Sequence, residues 1–175
     1  EFSTATRIVF GNGSLTVGAE SFSKFGNNAL VIHGSGKAPL DSLFSLLKIH
    51  NIKFVESIVS GEPTIDLVQE ITTFARDNEC DFVIAIGGGS VMDTGKAVAA
   101  LLTNAGDLLD YVEVVGKNIP LRNPSAPCVT IPTTSGTGTE VTRNAVMSVP
   151  DKQVKVSLRS NFLLPRLTIV DPELT

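Results

Sequence analysis

The hydrophobic positions fall into short apolar runs that alternate with stretches of helical period. Residues 7–10, 29–33, 53–57, 82–86 and 128–131 read as strands, and 40–50, 65–77 and 91–102 place apolar residues at helical spacing. Strands apolar on both faces and separated by helices imply a parallel sheet covered on both sides, joined by right-handed crossovers. The predicted fold is therefore α/β: a Rossmann-like, mostly parallel sheet with helices on both faces. Residues 141–149 and 153–158 add a β-hairpin around Pro150-Asp151-Lys152. Helix starts are expected at Pro63-Thr64 with Asp66 and at Ser90 with Asp93, and a helix stop at Gly26-Asn27-Asn28. Gly106, Gly116, Pro120, Pro124 and Pro127 make the stretch after Leu102 an irregular connection.

Composition narrows the classes of function. The 175 residues, 42% of them hydrophobic, suit one domain over 1–175 with a full-sized core. Fourteen basic against eighteen acidic residues give a net charge of −4, the wrong sign for a partner held by nucleic-acid phosphates. The run 82–86 is far too short to span a bilayer, and the N-terminal residues carry no basic-then-apolar leader, so a soluble, cytoplasmic chain with no membrane partner is expected. Glu1-Phe2 reads as a cloning remnant and carries no weight. Cys80 and Cys128 have no Cys-x-x-Cys spacing, and His33 and His50 form no pair at ligand spacing, so bystander thiols and no metal site are expected here.

The chemistry concentrates where residues 82–86 run into Gly87-Gly88-Gly89-Ser90 and a helix follows. Bare backbone amides at a helix N-terminus point donors and dipole at one anion, the arrangement that holds phosphate. The competing reading is a tight turn that only packs closely. Asp93 reads by itself as a helix-end carboxylate, and Lys96, on the same helix face, as its ion-pair partner. The triphosphate-binding loop fails at Gly36-Lys37, where Val31 and Ala38 hold the other key positions, and at Gly95-Lys96, where Ser90 and Ala97 do. Gly34-Ser35-Gly36 meets Pro39 where the third glycine of the dinucleotide fingerprint belongs, although Glu56 at a strand end offers a weaker mimic of its ribose-binding acid. The loop 133–139 supplies hydroxyls and amides without charge, suited to ribose, pyrophosphate or adenine, or else to an ordinary solvated connection. All three turns are expected at the carboxyl ends of strands, where open α/β sheets bind ligands. Lys152, Lys155 and Arg159 gather on the hairpin, in most proteins a solvated face.

The run from Gly87 to Lys96, followed by Ile131-Pro132-Thr133-Thr134-Ser135-Gly136-Thr137-Gly138-Thr139-Glu140-Val141-Thr142, resembles the iron-dependent (group III) alcohol dehydrogenases. Val9-Phe10-Gly11, Gly61-Glu62-Pro63-Thr64 and Val170-Asp171-Pro172 extend the likeness over essentially the whole chain. The resemblance implies an NAD(P)-binding domain of a metal-dependent alcohol dehydrogenase that moves hydride between NAD(P)H and a small alcohol or aldehyde. On it, Gly88, Gly89 and Ser90 bind the pyrophosphate, Gly87 belongs to the same cofactor-binding turn, and Asp93 lies at the nicotinamide side. Thr133, Thr134 and Thr137 line the adenosine and ribose part, and Thr142, Asn144 and Lys155 contact the rest. Where NAD-preferring relatives place an Asp, this chain has His33-Gly34-Ser35-Gly36-Lys37, so Gly34 and Ser35 predict NADP over NAD. The family's divalent metal, Fe or Zn, is held by an Asp and three His in a C-terminal helical domain after the segment matching residues 171–175, where this chain stops. The metal is accordingly expected only in the full-length enzyme, this chain alone is expected to be inactive, and a homodimer through the strand near 7–10 is implied. The rival readings are a dehydroquinate synthase-like or glycerol-phosphate dehydrogenase-like enzyme and a non-catalytic nucleotide-binding module.

Overall fold

The computed structural model describes residues 3–36 and 39–175; the expectations placed on Glu1, Phe2 and Lys37 lie outside the described residues. Six parallel strands form the main sheet in the order β1-β8-β5-β4-β2-β3. They are β1 (Ile8–Phe10), β2 (Asn28–Gly34), β3 (Lys53–Val59), β4 (Phe82–Gly87), β5 (Cys128–Pro132) and β8 (Leu167–Val170). β6 (Asn144–Val149) and β7 (Val154–Arg159) pair antiparallel as a separate hairpin. The helices are α1 (Ser14–Ala19), α2 (Leu40–Ile49), α3 (Ile65–Asp77), α4 (Gly89–Thr103) and α5 (Leu108–Tyr111).

The period of two along the central strands explains why they read as continuous apolar runs. Leu30, Ile32, Val83 and Ala85 face a core shared with α3 and α4, while Val31, Ile84 and Ile86 face a second core shared with α1 and α2. Both faces are dry, and each fully buried Leu or Ile contributes about 1.5–3 kcal/mol of transfer free energy. α4 lies unusually close to the sheet. A Cβ on Gly95 would stand 2.6 Å from the Ala85 Cβ, so a larger residue would lift the helix from its strand. At its far end, Arg76 of α3 donates to the carbonyls of Leu101 and Asn104.

Several expectations are corrected. The helix after the glycine turn starts at Gly89 with Gly88 as its cap, so Ser90 lies inside the first turn and caps nothing. Thr64 does cap α3, accepting from Leu67 N–H at 3.1 Å. The first hairpin strand begins at Asn144, not 141, because residues Thr139–Val141 close a 3-10 turn. At the predicted helix stop, a 3-10 turn over Phe22–Lys24 ends before Gly26, and Asn28 already begins β2. β3 runs on to Val59, so Glu56, opposite Val31 in register, is not at a strand end.

β8 was not expected, and the sheet depends on it, since it joins β1 to β5. Its neighbour Asp171 is 2% exposed and ties the two ends of the described chain together. Its carboxylate accepts from Gly13 N–H (3.2 Å), Leu15 N–H (3.1 Å) and Glu173 N–H (3.1 Å). One side chain thus satisfies amides at the start of α1 and fixes the segment that leaves the sheet.

Candidate cofactor-binding site

The carboxyl ends of β2, β4 and β5 lie side by side, with His33 opposite Ile86 and Gly87 opposite Pro132. Beyond them opens a cavity of about 540 Å³ lined by Gly34, Gly36, Pro39, Gly87, Gly88 and Thr133, with Glu173, Leu174 and Thr175 forming a further wall. Gly87 is required there. Its φ is +157°, and a Cβ would stand 2.8 Å from Val91 Cγ2, inside contact distance.

α4 opens onto this wall with no side chain capping it and no acidic residue in its first turn. Its first intrahelical bond at this end is Met92 N–H to Gly88 O at 3.1 Å, so the preceding amides have no helical acceptor and the positive end of a fifteen-residue dipole faces the same way. The threonine loop covers the turn closely. Cβ atoms built on Gly88 and Gly89 would lie 3.4 Å from Thr134 Oγ1 and 3.3 Å from Thr137 Cγ2. A second cavity of about 200 Å³ adjoins the turn, lined among others by Gly89, Ser90, Asp93, Thr137, Lys155 and Glu62.

Asp93 and Lys96 are the buried charges of the site. Lys96 is completely buried, and its Nζ meets Asp93 Oδ1 at 3.1 Å, Thr139 O at 3.0 Å, Thr142 Oγ1 at 3.2 Å and Asn144 O. Asp93 Oδ2 accepts from Val146 N–H at 3.1 Å. Burial pushes the Lys96 ammonium below the ordinary lysine range and the Asp93 carboxyl above the ordinary carboxylate range, each opposed by the charge of the other. The three N–H donors of a charged ammonium find these four oxygens as acceptors.

The structure brings most of the expected residues together on this face of the sheet. Gly34, Gly87, Gly88 and Thr133 line the larger cavity; Gly89, Ser90, Asp93, Thr137 and Lys155 line the smaller. Ser35 and Thr134 line neither, although Thr134 abuts Gly88. Thr142 and Asn144 also line neither; the Thr142 hydroxyl and the Asn144 carbonyl are engaged by Lys96. Lys155 pairs with Glu62 across the mouth of the smaller cavity. Glu56 does not take the ribose position. It faces His33, whose Nε2 lies 3.6 Å from Glu56 Oε2 while Nδ1–H donates to Gly34 O at 2.8 Å.

Sequence reasoning missed Gly36, Pro39 and residues 173–175 in the cavity wall, and it missed what Lys96 holds besides Asp93. A signal existed for the lysine: it stands directly before the apolar run Ala97-Val98-Ala99-Ala100-Leu101, where a charge needs buried partners. Among the described residues, no group of three or more His, Cys, Asp or Glu side chains is placed to hold a metal ion.

A parallel α/β sheet with a glycine turn, an uncapped helix and a cavity at the strand ends defines the nucleotide-binding class of fold. The family model for iron-containing alcohol dehydrogenase matches residues 5–172, and the chain belongs to that family. A mitochondrial hydroxyacid-oxoacid transhydrogenase of Caenorhabditis elegans is 41% identical over 72% of this chain and 28% of its own length. NADH-dependent butanol dehydrogenase A of Clostridium acetobutylicum is 32% identical over all of this chain and 45% of its own length. The crystal structure of sulfoacetaldehyde reductase from Bifidobacterium kashiwanohense in complex with NAD+ superposes with a TM-score of 0.84 at 26% identity, over 100% of this chain and 46% of that one. The chain therefore spans less than half the length of these relatives.

Proposed function

We propose that this chain is the cofactor-binding part of an NAD(P)-dependent alcohol dehydrogenase, and that it holds the dinucleotide across the two cavities. The observation that carries the reading is the turn Gly87-Gly88-Gly89, which delivers the uncapped end of α4 to the wall of the 540 Å³ cavity. The pyrophosphate takes the amides of Gly88, Gly89 and Ser90. Thr133, with Thr134 beside Gly88, offers hydroxyls to the adenosine side, and Thr137, Asp93 and Lys155 line the smaller cavity towards the nicotinamide side. When bound, the dinucleotide supplies or accepts the hydride exchanged with a small alcohol or aldehyde. The chain's own contribution is to bind, orient and shield that cofactor. The described residues bring no three His, Cys, Asp or Glu side chains together and so do not fit a divalent metal.

We further propose that NADP is accepted in preference to NAD. Among the described residues the end of β2 adds Gly34 and Gly36 to the cavity and no carboxylate of its own, the lining's Glu173 coming from the segment after β8, and Glu56 is turned to His33. The NADH-dependent butanol dehydrogenase and the NAD+ complex of the reductase set the opposite expectation. Fluorescence titration with NADH and NADPH, alone and in competition, tests both statements. Saturable binding of either, lost on Gly89→Val, supports the site; no binding of either sinks it, and a clear NADH preference sinks the selectivity.

A further inference from the structure

We infer that Lys96 is a positioning residue for the dinucleotide site, acting on the cofactor through Asp93 and the segment 139–146 and not by its own contact; the inference rests on the cofactor reading above. Lys96 lies on α4, two turns beyond the glycine bend, and lines neither cavity. Its ammonium gathers acceptors far along the chain: Thr139 O, Thr142 Oγ1 and Asn144 O. Asp93 extends the same grip by accepting from Val146 N–H on β6. The pair therefore fastens the downstream end of the threonine loop, and the first strand of the hairpin, onto the helix whose N-terminus receives the phosphates.

A second pin acts from the sheet. Thr130 and Thr168, both fully buried, set their hydroxyls 3.0 and 2.7 Å from Glu140 O and 2.9 Å from each other, two protons shared among three oxygens. Between them, the two anchors hold consecutive carbonyls, Thr139 from the helix and Glu140 from the strands. With both set, Thr137 lies against Gly89 and opposite Lys155, which rides on the hairpin. Removing the lysine loses the three helix-side bonds to Thr139, Thr142 and Asn144 but keeps Asp93–Val146 and the sheet-side pin, so the loop keeps its place in the fold but loses its register against the turn. If the competent arrangement falls to about a tenth of the population, apparent affinity falls about tenfold with no lost contact to the ligand.

The test compares wild type, Lys96→Met, Thr142→Val and, as a stability control outside residues 139–146, Leu108→Ala, each in the full chain. Dissociation constants for NADH and NADPH are measured by fluorescence at a temperature where every variant is folded by circular dichroism. Amide hydrogen exchange is followed in parallel. The expected result is affinity about tenfold weaker in Lys96→Met and about twofold weaker in Thr142→Val, with faster exchange at residues 139–146 and unchanged protection in β4 and β5. Leu108→Ala, whose buried side chain is lost from the core, lowers the melting temperature without changing affinity. Thr142→Val carries the test if Lys96→Met does not fold. Wild-type binding with both loop variants unchanged, or affinity falling only in step with Leu108→Ala, overturns the inference alone. Failure of the wild type to bind either cofactor overturns the cofactor reading and this inference with it.

Discussion

Replacing Asp171 by alanine should cost this fold about 3–4 kcal/mol. The carboxylate accepts three backbone N–H bonds at 3.1–3.2 Å, from Gly13, Leu15 and Glu173. A hydrogen bond to a charged group contributes about 1.5–3 kcal/mol net, and a buried amide left without an acceptor costs about 1–3 kcal/mol. The Leu15 bond is buried and counts in full; those of Gly13 and Glu173 are partly buried, and water entering the truncated site recovers most of their loss. That leaves one full charge-assisted bond and two partial ones. Against a typical total of about 5–15 kcal/mol, such a loss is readily measured. Urea unfolding followed by far-ultraviolet circular dichroism should show a lower midpoint at an unchanged slope. Asp171→Asn, which keeps one acceptor oxygen, should lose about half as much. A loss below about 1 kcal/mol for Asp171→Ala, with the slope unchanged, would refute the reasoning, because the three bonds would then contribute no more than ordinary surface contacts.

Other expectations follow from single contacts. Gly87→Ala drives a Cβ to 2.8 Å from Val91 Cγ2 and should destabilise by about 1–3 kcal/mol; adding Val91→Ala should restore part of the loss in the same urea assay. The Cys128 thiol is pushed up to about 12 by burial, from 9.0. The folded state keeps its proton between those values while the unfolded state loses it, so this thiol makes stability fall with rising pH across that window, by up to about 1.4 kcal/mol per pH unit. Cys128→Ala should flatten that alkaline limb relative to wild type, and unfolding midpoints taken from pH 8 upward would show it; an equally steep limb would exclude the thiol as its source. Thr130→Val and Thr168→Val should be non-additive, because the two hydroxyls meet each other at 2.9 Å and share Glu140 O; a double-mutant cycle with no coupling energy would contradict that.

How much of this was legible before the fold was known depends on how far each element relies on its own residues. β2, β4 and α3 announce themselves because a dry strand and an amphipathic helix write their burial into the local pattern, and α4, buried from Val91 to Leu101, through its apolar run. β8, four residues long, exists because β1 and β5 bracket it, and α1 and α5 are too short for periodicity to show. The glycine turn of the site was readable because its chemistry lies in consecutive residues. The reach of Lys96 to Thr139 and Asn144 was not, since only the approach of the hairpin to α4 makes those carbonyls its neighbours. The Ser90 cap failed because glycine backbone closes the turn, which leaves the serine one position too far along. Glu56 failed because β3 runs to Val59 and sets the acid inside the strand.

The sheet order also dictates a schedule for the nascent polypeptide. Among the described residues β1 pairs with β8 alone, and Ile8 aligns with Thr168. At ordinary elongation speeds of about 5–20 residues per second, the first strand emerges from the ribosome roughly ten to thirty seconds before its mate. Throughout that wait Phe10, which stays largely exposed even in the finished sheet, is a bare aromatic on an unpaired edge. The nascent chain therefore carries this edge open until β8 has been made.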